Sequence, residues 1–255
     1  MSQPGHDFWE VPDSLFVTRE GEKAHFTPSG PAAKSPDLRA FLLSAFLQMA
    51  MGVALSAATA TLVAVDPALQ AWLVGPTGLS WTGWIVMLAP LGLVILLGAR
   101  VEQLSGGGAR MIFLGYAGLV GLSLGTVFLG MAPASVAVTS LAAAAGFCAL
   151  AMVGARTGRD LSGLGSFFTI ALVGFVCVAL VNIVVRSMPL DLGLSAIGIL
   201  LFAGLTAYDM QRLKRIFDER RPEVSGSIAV LGALTLYLDF INLFLSLIRF
   251  TGRHR

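Results

Sequence analysis

The sequence predicts an all-α integral membrane protein of seven transmembrane helices, and three observations predict it. Only 13% of the 255 residues are charged and 56% are hydrophobic, against about 25% charged in an ordinary soluble domain. Seven apolar runs each reach the roughly 20 residues that span a hydrocarbon core at 1.5 Å rise per residue. Together they fill the chain and leave no room for a soluble domain after the first 38 residues.

Residues 1–38 are polar, carry Pro4, Pro12, Pro28, Pro31 and Pro36, and read as a disordered tail. The tail is too long and polar for a signal-peptide n-region, so the first apolar run is expected to be a retained helix. The transmembrane domain is expected over 39–252. Its runs are 40–65, closed by Asp66-Pro67, then 81–99, 111–131, 134–153, 165–185, 192–211 and about 228–250. The SGGGA at 105–109 reads as a turn between two helices. Gly115, Gly118, Gly121 and Gly125, with the Ala-rich fourth run, are small residues where helices approach closely.

Lys and Arg in the short loops set the orientation. The 66–80 loop and the 132–133 turn have none, and 186–191 has only Arg186. The opposite side receives Arg100, Arg110, Arg156, Arg159, Arg212, Lys214, Arg215, Arg220 and Arg221, with Lys34 and Arg39 beside the first helix. The N-terminus is therefore expected in the cytoplasm. Trp72, Trp81 and Trp84 gather at the far interface as an aromatic belt would. For the last run, length favours a full span while Arg249, Arg253 and Arg255 favour re-entry; the expectation is a span.

Much chemistry is excluded by where residues are absent. His6, His25 and His254 lie in the polar ends, which removes intramembrane HExxH metalloproteases and bis-histidine haem sites. Lys23, Lys34 and Lys214 lie outside the apolar runs, so no retinal Schiff base is expected within the membrane. Cys148 and Cys177, in apolar surroundings, read as small hydrophobes. Gln48 and Asn182 read as interhelical hydrogen-bonding residues, and Arg159 and Asp160 as a loop cap and pair.

What remains in the membrane is acidic. Asp209 in LLFAGLTAYDMQ and Asp239 in LTLYLDFINLFL are the charged residues inside the apolar runs, apart from Arg249 at the end of the last one. A charge at the bilayer centre costs about 2.5–3.5 kcal/mol on insertion scales, so the default reading is functional, with a partner. Each aspartate is the other's natural partner. Two carboxylates in low dielectric do not both ionise readily, and sharing one proton is the low-cost state. Losing it leaves two like charges that repel, separating helices or drawing in a divalent cation. Calcium takes six to eight oxygens, so two aspartates offer a weak transit site for it rather than a cage, which conduction requires. Asn242, one turn after Asp239, either orients that carboxylate or bonds a neighbouring helix. Tyr208 and Tyr237 are candidate supports or packing residues, and Arg100 either reaches Asp209 or snorkels to headgroups. Asp239 lies about twelve residues into its helix, while Asp209 is about a turn from Arg212. The two meet only if the sixth helix continues through QRLKRIF or the seventh starts lower.

Four stretches carry a resemblance. FAGLTAYDMQRLKRI at 202–216 and LTLYLDFINLFLSLIRF at 234–250 resemble the last two helices of the Bax inhibitor-1 family, also called the transmembrane Bax inhibitor motif family. RTGRDLSGLGSF at 156–167 is similar to that family's Thr-Lys-Arg-Asp-Leu loop, with Gly158 where lysine is usual, and RAFLLSAFLQMAMGVALSA at 39–57 to its first helix. The resemblance, of a bacterial type, implies a seven-helix protein with the last helix central in the bundle. It implies calcium leak with an aspartate pair as pH sensor and gate, matching Asp209 and Asp239. Arg249 matches an arginine that often ends the last helix. The acid that some bacterial members place in helix two is lacking between Trp81 and Ala99.

The expected function is thus a pH-sensitive calcium leak channel, with no enzymatic activity and no cofactor beyond calcium as permeant or transient ligand. Lipid bilayer, calcium, protons and membrane proteins are the expected partners, and nucleic acid is not; the expected place is a bacterial inner membrane. One alternative is a non-conducting regulator of other membrane proteins or proteases. Another is an intramembrane aspartyl protease, disfavoured because Leu236-Tyr237-Leu238-Asp239 stands where such enzymes need Gly-x-Gly-Asp.

Overall fold

The structure, a computed structural model, describes residues 37–76, 78–100, 104–220 and 226–251; of residues 96, 97, 99 and 100 only the backbone is described. Residues 1–36 of the expected polar tail, together with Arg221, Arg253 and Arg255, lie outside the described residues, while its last two, Asp37 and Leu38, cap and begin the first helix.

Eight α-helices make up the described chain: α1 Leu38–Val65, α2 Pro67–Leu73, α3 Trp81–Arg100, α4 Gly106–Phe128, α5 Pro133–Arg156, α6 Gly165–Val185, α7 Met188–Glu219 and α8 Gly226–Thr251. Six of them (α1 and α4–α8) are long and apolar enough to cross a membrane, and α3 adds a shorter apolar stretch, Trp81–Ile95. The protein is an all-α membrane protein. Its sixth and seventh apolar runs are α7 and α8.

Start signals mark the N-termini of α1, α2, α4 and α5. The Asp37 carboxylate accepts the Arg39 N–H before α1, and Asp66 does the same for Ala68 and Leu69 before α2, each satisfying donors that an N-terminus leaves open. Pro67 and Pro133 stand at the first turns of α2 and α5, where the missing N–H costs nothing. The 105–109 stretch is not a turn. Ser105 Oγ accepts the Gly108 N–H, and the glycines form the first turn of α4. At Gly106 the lack of a side chain serves packing, because a Cβ there would press on the backbone of Gly226 at the start of α8.

Between α1 and α3 the chain forms α2 and a two-residue antiparallel pairing, β1 Val74–Gly75 with β2 Gly78–Leu79. Leu73 seals this small unit against Val63 and Val86. Trp72, Trp81 and Trp84 are exposed beside it.

The core runs along α8. About two-thirds of its apolar stretch is buried (67%), against 6% for α6. It packs on α7, α1, α5 and α4, so the last helix is central. It is also continuous over 26 residues, as a full span requires and a re-entrant loop does not. Small residues let these helices close. A Cβ on Gly121 would collide with the Ser56 carbonyl, and one on Gly125 would sit 2.6 Å from Val63 Cβ, while Gly115 faces open space. Two of the four glycines flagged in the third run thus make the α1–α4 contact; Gly118 has only ordinary contact with Leu55.

Both cysteines are exposed rather than buried. Outward positions in a bilayer are as apolar as the core, so apolar surroundings do not mark the inside.

Candidate functional site: the carboxyl pair of α7 and α8

α7 extends eight residues beyond the apolar run that the sequence suggests. Met210, Leu213 and Phe217 recur at helical spacing and are buried, giving the extension an inner face. Phe217 packs on Phe41 of α1, ring centroids 5.3 Å apart. Continuation of α7 through QRLKRIF meets one of the two conditions on which Asp209 and Asp239 could reach one depth.

Three close approaches hold α7 against α8 in antiparallel register. A Cβ on Gly198 would meet Ser246, and one on Gly232 would lie 2.6 Å from Leu213. Between these points the buried carboxyls of Asp209 and Asp239 face each other as electrostatic neighbours across the α7–α8 contact. Ionised carboxylates have only acceptors, so a hydrogen bond between the two needs a proton on one of them. The two residues are 8% and 4% exposed, and Oδ2 of Asp239 is buried with no hydrogen-bond partner. A cavity of about 300 Å³ opens beside Asp209, lined also by Arg212, Leu213, Gly232, Thr235 and Gly98 of α3.

Arg212, which the sequence reading uses only as a depth mark, is part of the site. Its Nη1 stands 3.8 Å from Asp209 Oδ1, and the side chain is 57% exposed. The signal was the i, i+3 spacing on one helix. It gives Asp209 a cation on the open side, whereas Asp239 faces the interior.

The other candidates do not converge on the pair. Tyr237 is fully buried, but its hydroxyl shares a 2.7 Å hydrogen bond with Ser56 of α1, and its ring meets the edges of Phe113 and Tyr116. It lies two residues before Asp239, hence on another helix face. Tyr208 is half-buried, stacked near Phe168 and under the Arg215 guanidinium at 6.0 Å. Asn242 spends its amide on the Leu238 carbonyl of its own helix, 2.8 Å. Arg249 is exposed in the last turn of α8 and makes no ion pair among the described residues. The side chain of Arg100 lies outside the described residues. Among the described residues, no group of three or more acidic, histidine or cysteine side chains forms a metal cluster.

Next to the pair, the α5–α6 loop is fastened to the α7 extension. Gln211 accepts the Leu161 N–H and donates to the Arg159 carbonyl, both at 2.8 Å, and Lys214 donates to the Ala155 carbonyl. Asp160 accepts both the N–H and the hydroxyl of Ser162. Those bonds, with Arg215 nearby, hold its carboxyl below the usual carboxylate range. Its ion partner is Arg215 at 3.7 Å, not Arg159, because the turn aims it at α7. Gln48 does bridge helices, accepting from Arg110 of α4. Asn182 instead closes its own helix, accepting the Ser187 N–H after Arg186 adopts a left-handed φ of 53°.

A polytopic helical membrane protein whose buried last helix shares a carboxyl pair with its neighbour is the class that this geometry defines. Residues 38–255 match the model of a family described as inhibitor of apoptosis-promoting Bax1. The chain is 43% identical over 173 residues to the inner membrane protein YbhL of Escherichia coli K12, covering 67% of this chain and 74% of YbhL. It is 37% identical over 220 residues to an uncharacterized protein of Rickettsia prowazekii, covering 86% and 91%. A protein of Deinococcus radiodurans, also uncharacterized, is 40% identical over 213 residues, covering 83% and 89%. The chain belongs to the Bax inhibitor-1 family.

Proposed function

We propose that the protein is a pH-sensitive cation leak, with calcium as the permeant ion, gated by the Asp209–Asp239 pair. The observation that carries this is the pair itself: two buried carboxyls on different helices, neighbours across the α7–α8 contact, which can share a hydrogen bond only while a proton is present. Removal of that proton replaces a bond between α7 and α8 with repulsion at the wall of a cavity. The helices then separate, or a cation enters between the carboxylates. Two carboxylates and water bind calcium weakly, as a transit site should. The unpartnered oxygen of Asp239 is the next acceptor such an ion would meet.

We place the protein in a bacterial inner membrane, as the name of YbhL says of that protein. α3 has 20 residues, about 30 Å of helix, enough to cross. The Lys- and Arg-free segments before α3 and after α4 fall on one side only if it does, so the reading has seven crossings.

The test is calcium flux from loaded proteoliposomes across a pH series, with Asp209→Asn and Asp239→Asn beside the wild type. Wild type is expected to leak with a clear pH dependence, and each amide variant to flatten it, since an amide neither gains nor loses the proton. Absence of flux at every pH in a folded protein would overturn the reading and leave a non-conducting regulator.

A further inference from the structure

A second cavity, of about 440 Å³, is also lined by Arg212. Arg212 and Arg215 of α7 and Arg220 just after its end line it, with Glu219 as the acidic side chain among its described walls. Asp209 and Asp160 also face it indirectly, as the ion partners of Arg212 and Arg215. Across from the arginines stand Ser227 and Ile228, in the first turn of α8. A 26-residue helix presents the positive end of its dipole there, which favours an anion. Two independent sources of positive potential therefore converge on one hollow.

Both described ion pairs are loose. At 3.8 and 3.7 Å they exceed the 2.7–2.9 Å or so of charge-assisted hydrogen bonds, and each guanidinium carries five N–H donors. Arg212 and Arg215 thus hold donors in reserve for a planar array of acceptor oxygens. The floor of the cavity changes character: Ile216, Ile228 and Leu231 continue it along the apolar faces of α7 and α8. A ligand that fits is anionic at one end and apolar at the other. Free phosphate satisfies only the first requirement.

We propose that this cavity binds the phosphate of an anionic phospholipid, with its glycerol and acyl portion along Ile216, Ile228 and Leu231. Basic pockets between transmembrane helices hold anionic headgroups on this principle, at about 1 kcal/mol per Lys or Arg, or roughly fivefold in affinity. The site stands whether or not the carboxyl pair gates an ion leak.

The test is native mass spectrometry of the full chain in detergent with an equimolar mixture of phosphatidylglycerol and phosphatidylcholine. Wild type is expected to retain phosphatidylglycerol over phosphatidylcholine by roughly a hundredfold, three arginines at about fivefold each. Arg215→Gln with Arg220→Gln lowers that retention by about twentyfold, and Arg215→Lys with Arg220→Lys restores most of it. Millimolar inorganic phosphate leaves the lipid in place. Equal retention of the two lipids, or full retention by a double glutamine variant, would overturn the proposal. So would displacement by inorganic phosphate. A matched thermal melt shows that each variant is folded; if the double variant melts early, the single Arg215→Gln change carries the test with a fivefold expectation.

Discussion

Asp239 and Asp209 have the same chemistry in different surroundings. Asp239 is almost enclosed, with one oxygen unpartnered, while Asp209 looks onto a cavity and has Arg212 beside it. An arriving proton or cation therefore meets Asp209 first. A third carboxyl, Asp160, is fully exposed and answers pH in a separate way. Its folded pKa lies below the unfolded value, so the stability it lends is present above the unfolded pKa and fades as pH falls through the folded one. Asp160→Asn is expected to lower the melting temperature by only about 1–2 °C at neutral pH, and the difference from wild type should vanish in acid. A difference that grows on acidification would contradict the Ser162 bonds as its source. Asp209 and Asp239 were legible in the sequence because charge within lipid is costly and rare. The uses of Asn242 and Tyr237 were not. A rotamer choice decides whether an amide serves a carboxylate or the carbonyl one turn back, and neither hydropathy nor spacing encodes it.

Among the elements, α7 departs furthest from its apolar run, because its last eight residues switch from lipid to an amphipathic pattern that packs on α1. Hydropathy ends a helix where lipid ends, and the chain does not. The glycines of α4 show the same limit. All four read alike, yet Gly121 meets the backbone of α1 and Gly115 meets nothing. Gly121→Val is expected to destabilise the protein by about 1–3 kcal/mol through overpacking, read as a lowered melting temperature in detergent. Gly115→Val should leave the melt nearly unchanged. Equal effects would mean that helix propensity, not the α1–α4 contact, sets the response. Which face of a helix turns inward was poorly legible throughout, Cys148 and Cys177 being the plainest case, since lipid and core reward the same side chains.

At the scale of the molecule, the alternation of arginine-rich and arginine-free connections was legible and consistent with the helix order, as was the central last helix once the resemblance had been noticed. The expected topology places both the N-terminus and the α5–α6 loop in the cytoplasm. Alkaline phosphatase fused within the 66–80 segment should be active, and fused after Arg159 inactive. The reverse pattern would invert the orientation. The burial of α8 also bears on how the protein is made. Its central helix leaves the ribosome after the helices that must surround it. Until then α1, α4, α5 and α7 enclose a vacant seam, and Asp209 faces it without its acidic neighbour. α8 is therefore inserted into the middle of helices made before it, so a chain truncated before Gly226 would reach the membrane hollow, an evident substrate for quality-control proteolysis.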